Sequence, residues 1–308
     1  MSYSSDTKAE LCALQATSIC CPLAELSGIV CAAGSVLLRG SGGRRLLIES
    51  ENGDVAERIL SLIGHVFDTQ PALIERQQRR LGGRRLYRIL LDGDEAAFVL
   101  EGCGILLGQR RTVPREITAR KCCRKAFLRG VFLACGSVTD PRKEYHLEFV
   151  LDDEAFAESL VRLVGRFGLT ARTGQRRRMT LVYLKGQPDI TDMLSLMGAQ
   201  NARFVMEDAF VRKDLRNNAN RAVNCDSANL SRAVDAASRQ MRAIRAVLDA
   251  RGIDALPPQL AEVARLRLEH PELPLEELGQ LCDPPLTKGG IHHRLRRLAA
   301  MAEDLGEP

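Results

Sequence analysis

The segment Cys122–Val138 reads CCRKAFLRGVFLACGSV, and it repeats the segment Cys20–Val36, which reads CCPLAELSGIVCAAGSV. Each residue of the second copy lies 102 positions after its counterpart, since 122 − 20 = 102 for the first cysteine. In both copies the apolar and small residues fall on one side of a 3.6-residue period, which predicts a helix. Gly28 and Gly130 lie inside these helices, where glycine costs about 1 kcal/mol relative to alanine and usually serves close packing. We therefore expect the two helices to pack on each other about a pseudo-twofold axis.

The predicted elements that follow the first helix are repeated after the second one, so that each half reads helix, hairpin, helix, hairpin, helix. In the first half we predict strands at Val36–Arg39 and Arg44–Ile48, a helix at Asn52–Phe67, strands at Ala72–Gln78 and Arg84–Leu90, and a helix at Asp94–Leu107. In the second half we predict a strand at Leu147–Leu151, a helix at Asp152–Phe167, a hairpin at Leu169–Lys185 that turns at Thr173 and Gly174, and a helix at Asp189–Met197. A helical lead-in, with Leu11, Leu14 and Ile19 on one face, is expected at the N-terminus.

The composition is ordinary for a soluble protein that is long enough for two domains. The chain has 308 residues, of which 27% are charged and 45% hydrophobic. No apolar run reaches the roughly 18 residues that a membrane span needs, and the N-terminus lacks the pattern of a signal peptide. We expect a cytoplasmic protein that makes no contact with membranes.

Ten cysteines raise the alternatives of a disulfide framework and of a metal site. The adjacent pairs that begin at Cys20 and Cys122 lack the C-x-x-C spacing with which a hook clasps one ion. We therefore expect reduced thiols in core positions, and neither a metal nor a cofactor.

The net charge of +5 is unevenly distributed, because arginine is concentrated in three stretches that are nearly free of acids: 76–88, 110–125 and 166–178. Such clusters are typical of surfaces that bind polyanions, although they also occur as solvated loops. With no tryptophan and 4% aromatic residues, the chain lacks the rings that stack on single strands, which favours duplex DNA as the partner. The candidate secondary DNA contacts are Arg76, Arg79, Arg80, Arg84, Arg85, Arg176, Arg177 and Arg178.

The repeat ends near Ala199. A helical spacing covers Phe204–Leu215, and the asparagine-rich stretch Arg216–Asn229 is typical of helix caps and turns. Ser227 is expected to cap a following helix, whose apolar stripe runs from Leu230 to Leu248.

The C-terminal residues predict a helix-turn-helix. We expect helices at Gln259–Glu269 and Leu275–Leu281, and a third one that is capped by Thr287 and ends at about Leu305. The turn before the third helix contains Asp283, Pro284 and Pro285. Two helices joined by a tight turn, the second of them basic, are typical of this motif.

Helical geometry divides the third helix into two faces. A narrow stripe should pack on the preceding helices, and it consists of Ile291, Leu295, Leu298, Ala302 and Leu305. The remaining positions can approach a DNA groove or its phosphates, although a solvated face is the alternative. The candidate DNA-binding residues are Thr287, Lys288, Gly289, His292, His293, Arg294, Arg296 and Arg297. The two histidines lack carboxylate or cysteine neighbours, so a metal site is not expected there.

The segments LSGIVCAAG (Leu26–Gly34) and LRGVFLACG (Leu128–Gly136) resemble the two signature helices of LAGLIDADG homing endonucleases. In that family the second-to-last signature position is an acid that holds the catalytic divalent ion. The corresponding residues here are Ala33 and Cys135, and neither offers the oxygen ligand that a hard cation needs. No catalytic residue and no enzymatic activity are therefore expected.

Three further segments resemble the WhiA family of bacterial regulators: Asn220–Gln240, Leu266–Gly279 and Pro285–Leu298. The resemblance implies an α+β fold, in which a duplicated LAGLIDADG-like αββαββα saddle precedes an all-α helix-turn-helix domain resembling domain 4 of sigma factors. We place the saddle domain at 1–205 with repeats at 20–107 and 122–197, a linker at 206–228, and the C-terminal domain at 229–308 with its helix-turn-helix at about 274–306.

The same resemblance implies a non-enzymatic transcription regulator that binds promoter DNA and is associated with the nucleoid. Its members act in sporulation, or in cell division and chromosome segregation. Another regulatory protein or RNA polymerase is a further candidate partner. The alternatives from other classes are an active LAGLIDADG-type endonuclease and an interaction scaffold that binds DNA only through its C-terminus.

Overall fold

A computed structural model describes residues 2–15, 18–38, 44–78, 84–106 and 108–305. The chain divides into two compact units, Met1–Lys213 and Asp214–Pro308. The helices of the first half are α1 (Tyr3–Cys12), α2 (Cys20–Ala33), α3 (Gly53–Phe67) and α4 (Gly93–Gly102), and its strands are β1 (Gly34–Leu38), β2 (Arg44–Ser50), β3 (Ala72–Gln78) and β4 (Arg84–Asp92). The second half contains α5 (Lys121–Cys135), β5 (Gly136–Val138), β6 (His146–Leu151), α6 (Glu154–Gly165), β7 (Arg172–Arg176), β8 (Met179–Lys185) and α7 (Gln187–Met197). The remaining helices are α8 (Gln200–Arg251), α9 (Pro258–Glu269), α10 (Leu275–Gln280) and α11 (Lys288–Glu303).

The duplicated order of elements is confirmed, and each half builds its own antiparallel sheet. The strand order is β1-β2-β4-β3 in the first sheet and β5-β6-β8-β7 in the second. Alternation along the strands turns one face of each sheet inward: Ile48 and Ile89 are buried and paired in the first sheet, as are Phe149 and Val182 in the second. The α+β class is therefore established by two equivalent four-stranded sheets, each joined directly to one of the repeated helices.

The two repeated helices, α2 and α5, pack against each other along their length. A Cβ atom added to Gly28 would lie 2.2 Å from the carbonyl oxygen of Phe127, and one added to Gly130 would lie 2.0 Å from that of Glu25. Phe127 is the counterpart of Glu25 in the repeat, as Gly130 is of Gly28. Each glycine therefore faces the equivalent carbonyl of the other helix, which confirms the expected pseudo-twofold arrangement.

Glu25 breaks this symmetry, because it brings a buried carboxylate into the contact between the two helices. Its side chain is 1% exposed and accepts hydrogen bonds at 2.8 Å from Nε of Arg58 on α3 and of Arg129 on α5. Arg129 also donates from Nη1 to the carbonyl oxygen of Met197 at the end of α7. A buried carboxylate is tolerated when its charge is paired and its oxygen atoms are bonded. This cluster therefore ties α3, α5 and α7 to α2.

Several predicted boundaries are wrong. Ile19 is 98% exposed and does not share a buried face with Leu11. The second hairpin of the second half turns at Arg177 and Arg178 and not at Thr173 and Gly174, which lie in β7. Arg177 adopts the left-handed conformation that the turn requires (φ 57°), although arginine carries no sequence signal for it. The predicted turns at 40–43 and at Gly82 and Gly83 lie outside the described residues.

The expected turn at Arg216–Asn229, with its cap at Ser227, is also wrong, because α8 continues through it without a break. No glycine or proline occurs between residues 200 and 251, so nothing in this stretch forces the helix to end. The asparagines bond within the helix instead: Asn218 donates to Asp214 at 3.1 Å, and Asn229 accepts from Arg232 at 3.2 Å. All residues from Asp214 to Asp235 are exposed, so the predicted apolar stripe is buried only at its C-terminal end.

The second unit has a separate core that α8, α9, α10 and α11 build from residues including Ile244, Val247, Leu260, Val263, Leu278 and Leu295. Arg267 on α9 is 2% exposed, and its Nη1 donates to the carbonyl oxygen of Leu273 at 2.9 Å, which holds the connection to α10. Within the described ranges, no helix combines the length and the hydrophobicity needed to cross a membrane.

The contact between α2 and α5 can be tested by adding one methyl group. We expect Gly130→Ala to lower the free energy of unfolding by about 3 kcal/mol or more, because the new Cβ meets backbone atoms that cannot move aside. Gly64→Ala on α3 is the matched control, since its Cβ would meet only one atom, at 3.9 Å, and alanine favours the helix by about 1 kcal/mol. Urea denaturation followed by circular dichroism measures both; equal stability of the two variants would contradict the close contact.

Candidate nucleic-acid interface

The C-terminal ends of α2 and α5 are where the LAGLIDADG resemblance would place catalytic acids. These helices end at Ala33 and Cys135. The Cys135 thiol donates to the carbonyl oxygen of Val131 at 3.4 Å, and burial raises its pKa to about 12. It therefore remains a neutral thiol at physiological pH, and Ala33 offers no ligand atom at all.

Two cationic side chains of the protein itself lie at these helix ends. Nζ of Lys8 donates to the carbonyl oxygen of Leu133 at 3.0 Å, and Nη1 of Arg111 donates to that of Cys31 at 3.1 Å. Leu133 is the counterpart of Cys31 in the repeat, so the two cations approach equivalent carbonyl groups. Positive charge is favourable beside the last carbonyls of a helix. Arg111 belongs to the arginine-rich stretch 110–125, but neither it nor Lys8 was predicted at these helix ends, because both lie outside the repeated segments.

The arginines predicted as secondary contacts differ in their surroundings. Arg76, Arg85, Arg176, Arg177 and Arg178 are exposed on β3, β4, β7 and the turn after β7. Arg79 and Arg80 lie outside the described residues, as does the side chain of Arg84.

Acids neutralise part of this positive charge. Arg176 is paired with Glu148 on β6 at 2.9 Å, and Arg85 lies 3.4 Å from Glu75 on β3. Glu148 also contacts His146 at 3.2 Å, and its pKa is lowered by hydrogen bonds from His146 and Arg176 although burial opposes the shift. The exposed face of the second sheet is therefore less basic than its arginine content suggests.

The connection between α10 and α11 has the geometry of a helix-turn-helix. A Cβ atom on Gly279 would lie 2.3 Å from the carbonyl oxygen of Leu286, whose amide nitrogen donates to the Gly279 carbonyl at 2.8 Å. Because Gly279 has no side chain, the backbone at Leu286 can pack directly against it. The Thr287 hydroxyl accepts from the amide nitrogen of Gly290 at 3.3 Å, which confirms its predicted role as the cap of α11.

The predicted buried stripe of α11 is confirmed as far as Ala302, because Ile291, Leu295, Leu298 and Ala302 are at most 4% exposed. The prediction is wrong for Leu305, which lies beyond the end of α11 and is 36% exposed. Seven of the predicted DNA-binding residues are exposed: Gly289, His292, His293, Arg296 and Arg297 on the side opposite the stripe, and Thr287 and Lys288 at the start of the helix. The helix therefore presents a continuous basic face beside the glycine and the threonine of its first turn.

Arg294 differs from the other predicted contacts because it packs against α9. Its Nη1 lies 3.7 Å from Glu262, whose other oxygen accepts from the amide nitrogen of Asp283 at 2.8 Å. The side chain of Arg294 is 19% exposed. Its charge is engaged within the domain, where it holds α11 to α9 and to the turn, so it is not available to phosphates in this conformation.

A second basic row, on α8, was missed by the sequence analysis. Arg239, Arg242 and Arg245 are exposed at three-residue spacing, and they line one groove together with His292 and Arg296 of α11. None of these three arginines forms an ion pair within the described part of the chain. The three-residue spacing of these arginines, opposite the apolar residues Ile244 and Val247, was visible in the sequence. That they lie beside α11 could be seen only in the folded structure.

Comparison with known proteins assigns both units. Three family models match the chain: the WhiA N-terminal LAGLIDADG-like domain at residues 19–106, the WhiA LAGLIDADG-like domain at 124–216, and the WhiA C-terminal HTH domain at 219–302. A probable cell division protein WhiA from Heliobacterium modesticaldum is 43% identical over 98% of this chain and 96% of its own length. The corresponding protein from Desulforudis audaxviator is 40% identical over 99% of this chain and 98% of its own length.

Solved structures agree with this assignment. The crystal structure of full-length DUF199/WhiA from Thermatoga maritima covers 100% of both chains with a TM-score of 0.62 and 26% identity. That of the N-terminal LAGLIDADG domain of DUF199/WhiA covers 63% of this chain and 89% of its own, with a TM-score of 0.52 and 22% identity, and so supports the fold. The resemblance stated from the sequence is thereby confirmed: this chain belongs to the WhiA family, with LAGLIDADG-like domains followed by a helix-turn-helix domain.

Proposed function

We propose that this protein is a non-enzymatic, sequence-specific DNA-binding transcription regulator that acts in cell division. The observation that carries the proposal is the exposed basic face of α11 within a helix-turn-helix. The name of its relatives, probable cell division protein, supports the process. Chromosome segregation and sporulation are the finer roles that we propose on the family resemblance, with promoter DNA in the nucleoid as the site of action.

In the proposed complex α11 enters the major groove of duplex DNA. Arg296 and Arg297 can donate two hydrogen bonds each to a guanine edge or to a phosphate. Gly289 lets the first turn of the helix approach the DNA closely, while Lys288 and Thr287 lie where they can contact the backbone. Arg294 keeps α11 in place through Glu262 and makes no proposed contact to DNA.

The arginine row of α8 extends the proposed interface. Arg239, Arg242 and Arg245 lie along the groove that His292 and Arg296 also line, so a phosphate backbone that follows this groove meets cations from both helices. Contacts of this kind position the protein and contribute salt-dependent affinity without reading the sequence.

The first unit carries the secondary DNA contacts that we propose, and the ion pairs of its arginines favour a second role in binding a protein. Arg76, Arg177 and Arg178 are exposed without an ion pair among the described residues, and they remain the secondary DNA contacts that we propose, together with Arg79, Arg80 and Arg84. Arg85 and Arg176 are paired with acids. This mixed-charge surface suits a protein partner, such as another regulator or RNA polymerase, as well as it suits DNA.

Recognition by α11 can be tested with DNA that the full-length protein selects from a random library. We expect Arg296→Ala to weaken binding to the selected duplex by about 1–3 kcal/mol and to relax the preference at one base pair. Lys288→Ala should weaken binding to selected and to unrelated DNA alike, because a phosphate contact carries no sequence information. Fluorescence anisotropy titrations with both duplexes measure these effects; unchanged discrimination by the Arg296 variant would contradict the assignment.

The arginine row can be tested through the salt dependence of binding. We expect replacement of Arg239, Arg242 and Arg245 together by alanine to reduce the slope of log K against log salt concentration by about 3, since each phosphate contact contributes about 0.9. The matched control replaces the same three residues by lysine, which preserves the charge and should preserve the slope. Equal slopes for the alanine and lysine variants would place the phosphates elsewhere.

A further inference from the structure

The N-terminal ends of α2 and α5 bring together the two adjacent cysteine pairs of the repeat. Sγ of Cys20 lies 3.8 Å from Sγ of Cys122, and Sγ of Cys122 lies 4.0 Å from that of Cys123. The sulfur atoms of Cys20, Cys21 and Cys122 all lie within 4.8 Å of one another. Neither pair alone has the C-x-x-C spacing with which two cysteines bind one metal ion. The pseudo-twofold arrangement of α2 and α5 places the two pairs next to each other.

The sulfur separations fit a tetrahedral ion. A Zn²⁺–thiolate bond is about 2.3 Å long, so two thiolates on a tetrahedral Zn²⁺ are about 3.8 Å apart. Cys20 and Cys122 already have this separation. Within the group of Cys20, Cys21 and Cys122 no two sulfur atoms are more than 4.8 Å apart, which is about 1 Å above the tetrahedral value. Cys123 is a candidate for the fourth ligand because its Sγ lies 4.0 Å from that of Cys122.

The chemistry of the cluster selects the class of ion. Within the described residues, the group contains thiols and no carboxylate, which favours a soft or borderline cation over Mg²⁺ or Ca²⁺. The guanidinium of Arg120 donates to Sγ of Cys20 at 3.8 Å, whereas burial raises the pKa of the Cys21 and Cys123 thiols, so an ion has to displace the protons of these two. Each thiol that binds loses its proton to solvent.

The burial of the cluster suits a structural ion. Cys21 and Cys123 are 5% and 3% exposed, and they pack with the small residues Ala24 and Ala126. Cys20 and Cys122 are half-buried, so the cluster remains open to an ion that enters from solvent.

We propose that Cys20, Cys21 and Cys122 bind one Zn²⁺ ion, with Cys123 or a water molecule as the fourth ligand. The ion would fasten the N-terminal ends of the two repeated helices to each other. This site lies at the opposite ends of α2 and α5 from Ala33 and Cys135, and it is independent of the proposed DNA contacts.

The test uses the full-length protein, reduced and freed of metal by a chelator, and Co²⁺ as a spectroscopic probe. We expect one equivalent of Co²⁺ to produce the thiolate-to-metal charge-transfer absorption and the visible bands of a tetrahedral site, and Zn²⁺ to displace it. The thermal midpoint of the Zn²⁺-loaded protein should be higher than that of the metal-free protein.

Variants assign the ligands. Cys20→Ser combined with Cys122→Ser should abolish the charge-transfer absorption, whereas Cys225→Ser, which changes an exposed cysteine of α8, should retain it. Circular dichroism shows whether the double variant is folded. If it is not, the Co²⁺ titration of the unchanged protein still tests the proposal. Three results would overturn the proposal. The first is the absence of the thiolate absorption in the unchanged protein, and the second is its persistence in the folded double variant. The third is a Cys20–Cys122 disulfide in a protein whose reduced form binds no metal.

Discussion

The close approach of α2 and α5 is the constraint on which the first unit depends. Gly28 and Gly130 let each helix backbone lie against the carbonyl oxygen of the other, at Phe127 and Glu25. Any side chain at either glycine would separate the helices and the core between them. Each helix leads directly into the first strand of its sheet, so the same contact determines where both sheets begin. At the N-terminal ends of the two helices, it brings the two cysteine pairs together.

The far ends of these helices carry no carboxylate at the two signature positions, Ala33 and Cys135. Two-metal catalysis needs acidic oxygen ligands, whereas Ala33 and Cys135 supply none, and Lys8 and Arg111 place positive charge on the last carbonyls. These cations stabilise the C-terminal ends of the helices, and Asp152 lies 3.8 Å from Arg111 and balances part of its charge.

The sequence predicted the parts of the structure that repeat or alternate: the paired helices, the order of helices and hairpins in each half, and the buried stripe of α11 as far as Ala302. It failed where several competing local signals were available. Gly174 suggested a turn that Arg177 forms instead, and the asparagines of α8 suggested an interruption that the helix does not need.

Other features depend on residues distant in the chain and have no local signature. The ion pair of Arg294 with Glu262, the alignment of Arg239, Arg242 and Arg245 with α11, and the meeting of the cysteine pairs all follow from tertiary packing. Spacing within one element predicts which face is buried, but not which other element lies opposite an exposed face.

We expect this member of the WhiA family to bind duplex DNA without cutting either strand. The most direct measurement incubates the full-length protein with its selected duplex in Mg²⁺ or Mn²⁺, at a concentration where a gel shift shows the duplex fully bound, and then resolves the strands under denaturing conditions. The expected result is a retained complex and full-length strands. Two results would contradict this expectation: specific cleavage that a chelator abolishes, or a protein that shifts the duplex at none of the concentrations tested.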